Sequence, residues 1–87
     1  MVKGKKILVI GLANKYSIAA SICDSLYENG AELAFSYQNE RFKKFITDFA
    51  KSHGNAQTHV CDLSADEDIK NLIKNVVEKW GEIDGIV

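Results

Sequence analysis

The sequence predicts an α/β fold, the first half of a doubly wound parallel sheet with strand order 3-2-1-4. Three observations carry this. Short apolar segments alternate with amphipathic segments of helical period along the whole chain. A glycine follows each amphipathic segment, at Gly30, Gly54 and Gly81, which is the left-handed stop that helices favour. The first apolar segment runs through one glycine, Gly11, directly towards a helix. Strand–helix alternation of this kind demands parallel strands joined by right-handed crossovers.

The elements follow in order. Lys6-Ile7-Leu8-Val9-Ile10 is the first strand, with the weak alternation that suits a parallel sheet covered on both faces. A helix from about Ser17 to Asn29 follows and stops at Gly30. The second strand is Glu32–Tyr37. The second helix runs from about Glu40 to His53, with Asn39 placed to cap it. Its residues Phe42, Phe45, Ile46, Phe49 and Ala50 recur at i, i+3, i+4, i+7 and i+8, one stripe facing a sheet. The third strand is Gln57–Cys61 and the third helix runs from about Ala65 to Trp80. Ile69, Leu72, Ile73, Val76, Val77 and Trp80 form its stripe. Ser64-Ala65-Asp66-Glu67 has the S-x-x-E form of a capping box. A fourth strand begins near Asp84. It should be central in a doubly wound sheet, yet here it would lie bare at an edge. Residues 1–87 are therefore expected to be one incomplete domain, the N-terminal half of a longer one.

Composition narrows the class. Eleven Lys and Arg against twelve Asp and Glu give a net charge of −1, which argues against a dedicated nucleic-acid or membrane-surface module. A hydrophobic share of 46% excludes disorder. Apolar runs reach only about five residues, too short to span a bilayer. The basic start is followed only by Ile7–Ile10, too short for a signal-peptide core. A cytoplasmic location is the expectation. Cys23 and Cys61 lack a C-x-x-C partner and read as small buried hydrophobes in a reducing compartment. His53 and His59 are not spaced as a metal pair and read as ordinary polar positions, so no metal is expected. G-x-x-x-x-G-K-[ST] is missing, which excludes a P-loop triphosphatase.

The chemistry-bearing positions sit where the strands end. Gly11 lets the backbone turn sharply and lets a pyrophosphate approach without a Cβ in the way. The free N–H groups around Ser17 and Ile18 open the first helix and suit an anion, and the Ser17 hydroxyl adds a donor. Gln38 ends the second strand, where dinucleotide enzymes meet the adenosine ribose and NAD enzymes usually place an acid. Arg41, Lys43 and Lys44 follow. They could attract a 2′-phosphate, although Lys43 and Lys44 read first as a solvated face. Asp62 follows the third strand and can accept from an adenine amino group, with Leu63 offering the next backbone N–H. On the residues alone, Gly11 could equally be a plain turn, Ser17 a plain cap, and Asp62 a helix-starting residue.

Together these residues resemble a known family. Gly11-Leu12-Ala13-Asn14 with Ser17-Ile18-Ala19, then Gly30-Ala31-Glu32-Leu33-Ala34-Phe35-Ser36-Tyr37-Gln38-Asn39-Glu40, then Cys61-Asp62-Leu63 are similar to the NADH-type enoyl-acyl carrier protein reductases of bacterial fatty-acid synthesis. These form a divergent branch of the short-chain dehydrogenase/reductase superfamily, with a Rossmann fold. The closing Gly81-Glu82-Ile83-Asp84-Gly85-Ile86-Val87 shares the resemblance. It implies NAD as cofactor, an enoyl thioester on acyl carrier protein as substrate, and a homotetramer. It makes Gly11, Ser17 and Ile18 the pyrophosphate and nicotinamide-ribose contacts, Gln38 the adenosine-ribose contact, and Asp62 with Leu63 the adenine contacts. The family's catalytic tyrosine and lysine belong to the second half of the fold, so none of Tyr16, Tyr27 and Tyr37 takes that role. The 87 residues alone are expected to be inactive, and poorly soluble or self-associating. Two other readings stand beside this one. A non-catalytic nucleotide-binding module is disfavoured by the incomplete fourth strand. A carbonyl-reducing short-chain dehydrogenase is disfavoured by the missing second and third glycines.

Overall fold

The computed structural model describes residues 2–12 and 18–87. Four parallel strands, β1 (Lys6–Val9), β2 (Glu32–Tyr37), β3 (Gln57–Val60) and β4 (Gly85–Ile86), form one sheet in the order β3-β2-β1-β4. This is the predicted order. Among the described residues, three α-helices cover the sheet, α1 (Ile18–Glu28), α2 (Lys43–Ser52) and α3 (Asp66–Trp80). In register, Ile7, Leu8 and Val9 face Leu33, Ala34 and Phe35, while Ala34 and Phe35 face Gln57 and Thr58.

Successive strand residues point to opposite faces, and that splits the core in two. Val9, Leu33, Phe35 and Tyr37 pack with Ala20 and Cys23 of α1 and with Ile46, Phe49 and Ala50 of α2. Leu8 and Ala34 pack with Cys61 and with Leu72 and Val76 of α3. With a helical layer on each face, β1 and β2 are buried on both sides, which is why their sequences hardly alternate. The two stripes predicted for the second and third helices supply these contacts, with one correction: Val77, predicted to face the sheet, is 37% exposed and outside the core, because it sits about 100° round the helix from buried Val76.

Helix starts differ from the sequence expectation. A 3₁₀ turn at Glu40–Phe42 precedes α2, and the Asn39 side chain caps that turn by accepting from the Arg41 N–H. The capping box at Ser64 does not form. Ala65 is the N-cap of α3 and makes no side-chain cap bond. Ser64 instead donates both its N–H (2.9 Å) and its hydroxyl (2.7 Å) to Asp62 Oδ1. An ionised carboxylate two residues away is the stronger acceptor, and it closes an Asx turn. Asp66, Glu67 and Asp68 in the first turn of α3 then complement the helix dipole. At the other end Gly81 adopts φ +83 and caps the helix through Val77, as predicted.

His53 is more than an ordinary polar position. It is buried, stacks on Phe49 at 4.1 Å, and bridges two elements. Its Nδ1 donates to the Phe49 carbonyl (2.7 Å) and its Nε2 meets Asp24 Oδ1 of α1 (2.7 Å). His59 on β3 lies beside Gln57, and burial first, then the Lys79 charge, lowers its pKa. Cys23 and Cys61 are free, buried thiols, as the sequence suggests. Burial, reinforced by Asp24, pushes Cys23 up to about 11, so it is an inert thiol at neutral pH. No helix among the described residues is long and apolar enough to cross a membrane.

Candidate dinucleotide-binding site

All four strands are parallel, so their carboxyl ends share one edge of the sheet, the edge where open α/β sheets bind ligands. The chain passes from β3 to β4 across β1, so the strand order reverses beside β1. Four of the predicted residues sit at that edge: Gly11 beyond β1, Gln38 beyond β2, and Asp62 with Leu63 beyond β3.

Gly11 takes φ +71, a left-handed conformation that disfavours a side chain. Its N–H donates to the Ser36 Oγ of β2 at 3.2 Å. A Cβ on Gly11 would lie 3.9 Å from Leu63 Cδ1, so the β1 turn and the β3 turn are neighbours. Leu12 is buried and anchors the chain after the turn. Ile18 opens the described part of α1 and is 82% exposed. No acidic residue lies in that first turn to repel an anion. Ser17, expected to contact phosphate, lies outside the described residues.

Gln38 and Asp62, far apart in sequence, meet directly. Gln38 Nε2 donates to Asp62 Oδ1 at 3.0 Å. The same oxygen accepts the two bonds from Ser64, while the Asp62 N–H donates to Asp68 Oδ2 at 3.0 Å. The Ser64 bonds, with a smaller contribution from Gln38, hold the Asp62 carboxyl below its usual pKa, so it is ionised at neutral pH. An ionised carboxylate only accepts. The Gln38 amide nitrogen must therefore face Asp62, which makes Oε1 the acceptor end of the amide.

The nearby cations have partners or are solvated. The Arg41 guanidinium stacks over the Phe42 ring at 5.2 Å, Lys43 lies 3.8 Å from Glu40, and Lys44 is exposed. Sequence reasoning missed Ser36, Ser64 and Asp68, which hold site residues in place. A polar residue inside the buried strand Leu33–Tyr37 was the available signal for Ser36. Ser64 carried a different local reading, and Asp68 reaches Asp62 only once the chain has turned. A separate cavity of about 300 Å³ opens near the amino ends of β2 and β3, between Tyr27, His53, Gln57 and Trp80. None of the predicted residues lines it.

The model of the family described as enoyl-(acyl carrier protein) reductase matches residues 11–87. Enoyl-(acyl carrier protein) reductase (NADH) FabI of Aquifex aeolicus is 44% identical over 87 residues, 100% of this chain and 32% of that protein. The Escherichia coli protein of the same name is 39% identical over 84 residues, 97% of this chain and 32% of its own length. The crystal structure of the Aquifex aeolicus reductase superposes with a TM-score of 0.93, covering 98% of this chain and 34% of that one. The Anaplasma phagocytophilum reductase, solved in complex with NAD, gives 0.91 at 39% identity and covers 98% of this chain and 32% of that one. This chain thus spans about a third of the length of the curated relatives it matches. The likeness runs from the Gly11 turn through the strand order to Val87, and on it the chain belongs to the enoyl-(acyl carrier protein) reductase family.

Proposed function

We propose that residues 1–87 are the NADH-binding N-terminal part of an enoyl-acyl carrier protein reductase of bacterial type II fatty-acid synthesis. The parent enzyme reduces the trans-2 double bond of an enoyl thioester on acyl carrier protein. It works in the cytoplasm, as the short apolar runs and cysteine usage suggest, and as a homotetramer, as the resemblance implies. Bound NADH supplies the hydride. The residues of this segment bind and orient. Gly11, Ser17 and Ile18 receive the pyrophosphate and the nicotinamide ribose. Gln38 receives the adenosine ribose, and Asp62 with Leu63 the adenine. The fit rests on a backbone at Gly11 with no Cβ, an acid-free opening of α1, and acceptors at Gln38 and Asp62.

The observation that carries the reading most strongly is the Gln38–Asp62 hydrogen bond across the ends of β2 and β3. It gives a neutral glutamine the work an acid does in other NAD enzymes. Oε1 can accept from a ribose 2′-hydroxyl. A 2′-phosphate brings only acceptors and further negative charge, close to an ionised Asp62. NADH is therefore expected to be the preferred cofactor. Steady-state rates of enoyl-thioester reduction by the full-length enzyme, with NADH and NADPH at equal concentration, test both activity and preference. Equal or faster turnover with NADPH would mean that Arg41 or the lysines engage the 2′-phosphate. No reduction with either would remove the enoyl reductase reading.

A further inference from the structure

We propose that Ser36 is a positioning residue for the dinucleotide: its buried hydroxyl holds the Gly11 turn in the conformation that the pyrophosphate meets. The inference rests on the cofactor reading above and adds a residue to it. Ser36 is 1% exposed, the polar residue in the otherwise apolar Leu33–Tyr37 stretch of β2. A hydroxyl in that position is costly unless it is hydrogen-bonded. Its bond runs to the Gly11 N–H at 3.2 Å.

The location gives this bond its meaning. Paired register between β1 and β2 ends at Val9 and Phe35. Beyond it, successive N–H groups of the β1 tail point to opposite sides. The Ile10 N–H turns to one side and donates to the Val87 carbonyl at 3.1 Å. The Gly11 N–H turns to the other side, where the Ser36 side chain takes the place of a strand carbonyl. The tail of β1 is thus clamped from both flanks at the residue where φ becomes +71. Removing the hydroxyl frees Gly11 on the β2 side and leaves its N–H without that acceptor. The turn then samples other conformations, and binding must restore the one required.

The test uses the full-length enzyme with Ser36→Ala and Ser36→Thr. NADH affinity is read by fluorescence titration, kcat at saturating NADH by steady-state kinetics, and the Gly11 amide by hydrogen exchange. Ser36→Ala is expected to weaken NADH about fivefold or more, with kcat within about twofold. Exchange at Gly11 should accelerate about tenfold or more beyond any change in global stability. Ser36→Thr, which keeps the hydroxyl, should restore both. A Ser36→Ala enzyme that melts earlier but binds NADH normally and protects Gly11 normally would overturn the proposal, leaving Ser36 a packing residue. Failure of the unsubstituted enzyme to bind NADH would instead overturn the cofactor reading, and the proposal with it.

Discussion

Gly11→Val in the full-length enzyme is expected to weaken dinucleotide binding at least about tenfold, or about 1.4 kcal/mol. Crowding within the protein is not the cause. A Cβ at this position would meet Leu63 Cδ1 at 3.9 Å, an ordinary contact. The backbone is the cause. At φ +71 a β-branched side chain is strained, at a cost of about 1–3 kcal/mol. Valine can hold the turn at that cost and present its methyl groups to the incoming phosphates. It can also relax to negative φ, which carries the N–H away from Ser36 Oγ and re-aims the turn. Both routes weaken binding, and Gly11→Ala should do so less. Calorimetric titration with NADH measures the effect. An unchanged affinity would reduce Gly11 to a turn residue with no part in the site.

Phe35→Ala is expected to lower the unfolding free energy by about 3–5 kcal/mol. Phe35 is fully buried at the centre of the face covered by α1 and α2. Its ring meets Phe49 edge-on at 5.3 Å and His53 at 6.0 Å and 88°. Truncation opens a cavity beneath α2 and removes a wall from the His53–Asp24 bridge that ties α2 to α1. A small domain has about 5–15 kcal/mol in total, so much of the margin is at stake. Phe35→Leu, nearer in volume, should cost markedly less. Urea denaturation measures both. A loss below about 1 kcal/mol for Phe35→Ala would mean that β2 is not the core strand described above.

Local pattern was enough for much of the fold. Glu32–Tyr37 is apolar and β-rich between Gly30 and Asn39, and β2 occupies that span. Strand order followed from alternation and crossover handedness, which leave few topologies open. What stayed hidden was chosen by competition between partners. Ser64 sits in a valid capping-box pattern, yet the Asp62 carboxylate takes both of its donors. His53 has a polar character that says nothing of Asp24, which arrives from another helix. The candidate site divides in the same way. Gly11, Gln38, Asp62 and Leu63 were legible because each lies just past a strand end. Their mutual contacts were not, because the Gln38–Asp62 and Gly11–Ser36 bonds exist only after the sheet has assembled.

The central claim is that the dinucleotide lies across the carboxyl ends of β1, β2 and β3. Backbone amide chemical shifts of the isotope-labelled enzyme, recorded as NAD is added, test it most directly. The account predicts saturable shifts at Gly11, Ile18, Gln38, Asp62 and Leu63, with Tyr27, Asn55, Gln57 and Trp80 at the opposite end unmoved. Shifts confined to Tyr27, Asn55, Gln57 and Trp80, with the Gly11 and Asp62 amides still, would contradict it and move the ligand to the cavity at the amino ends of β2 and β3.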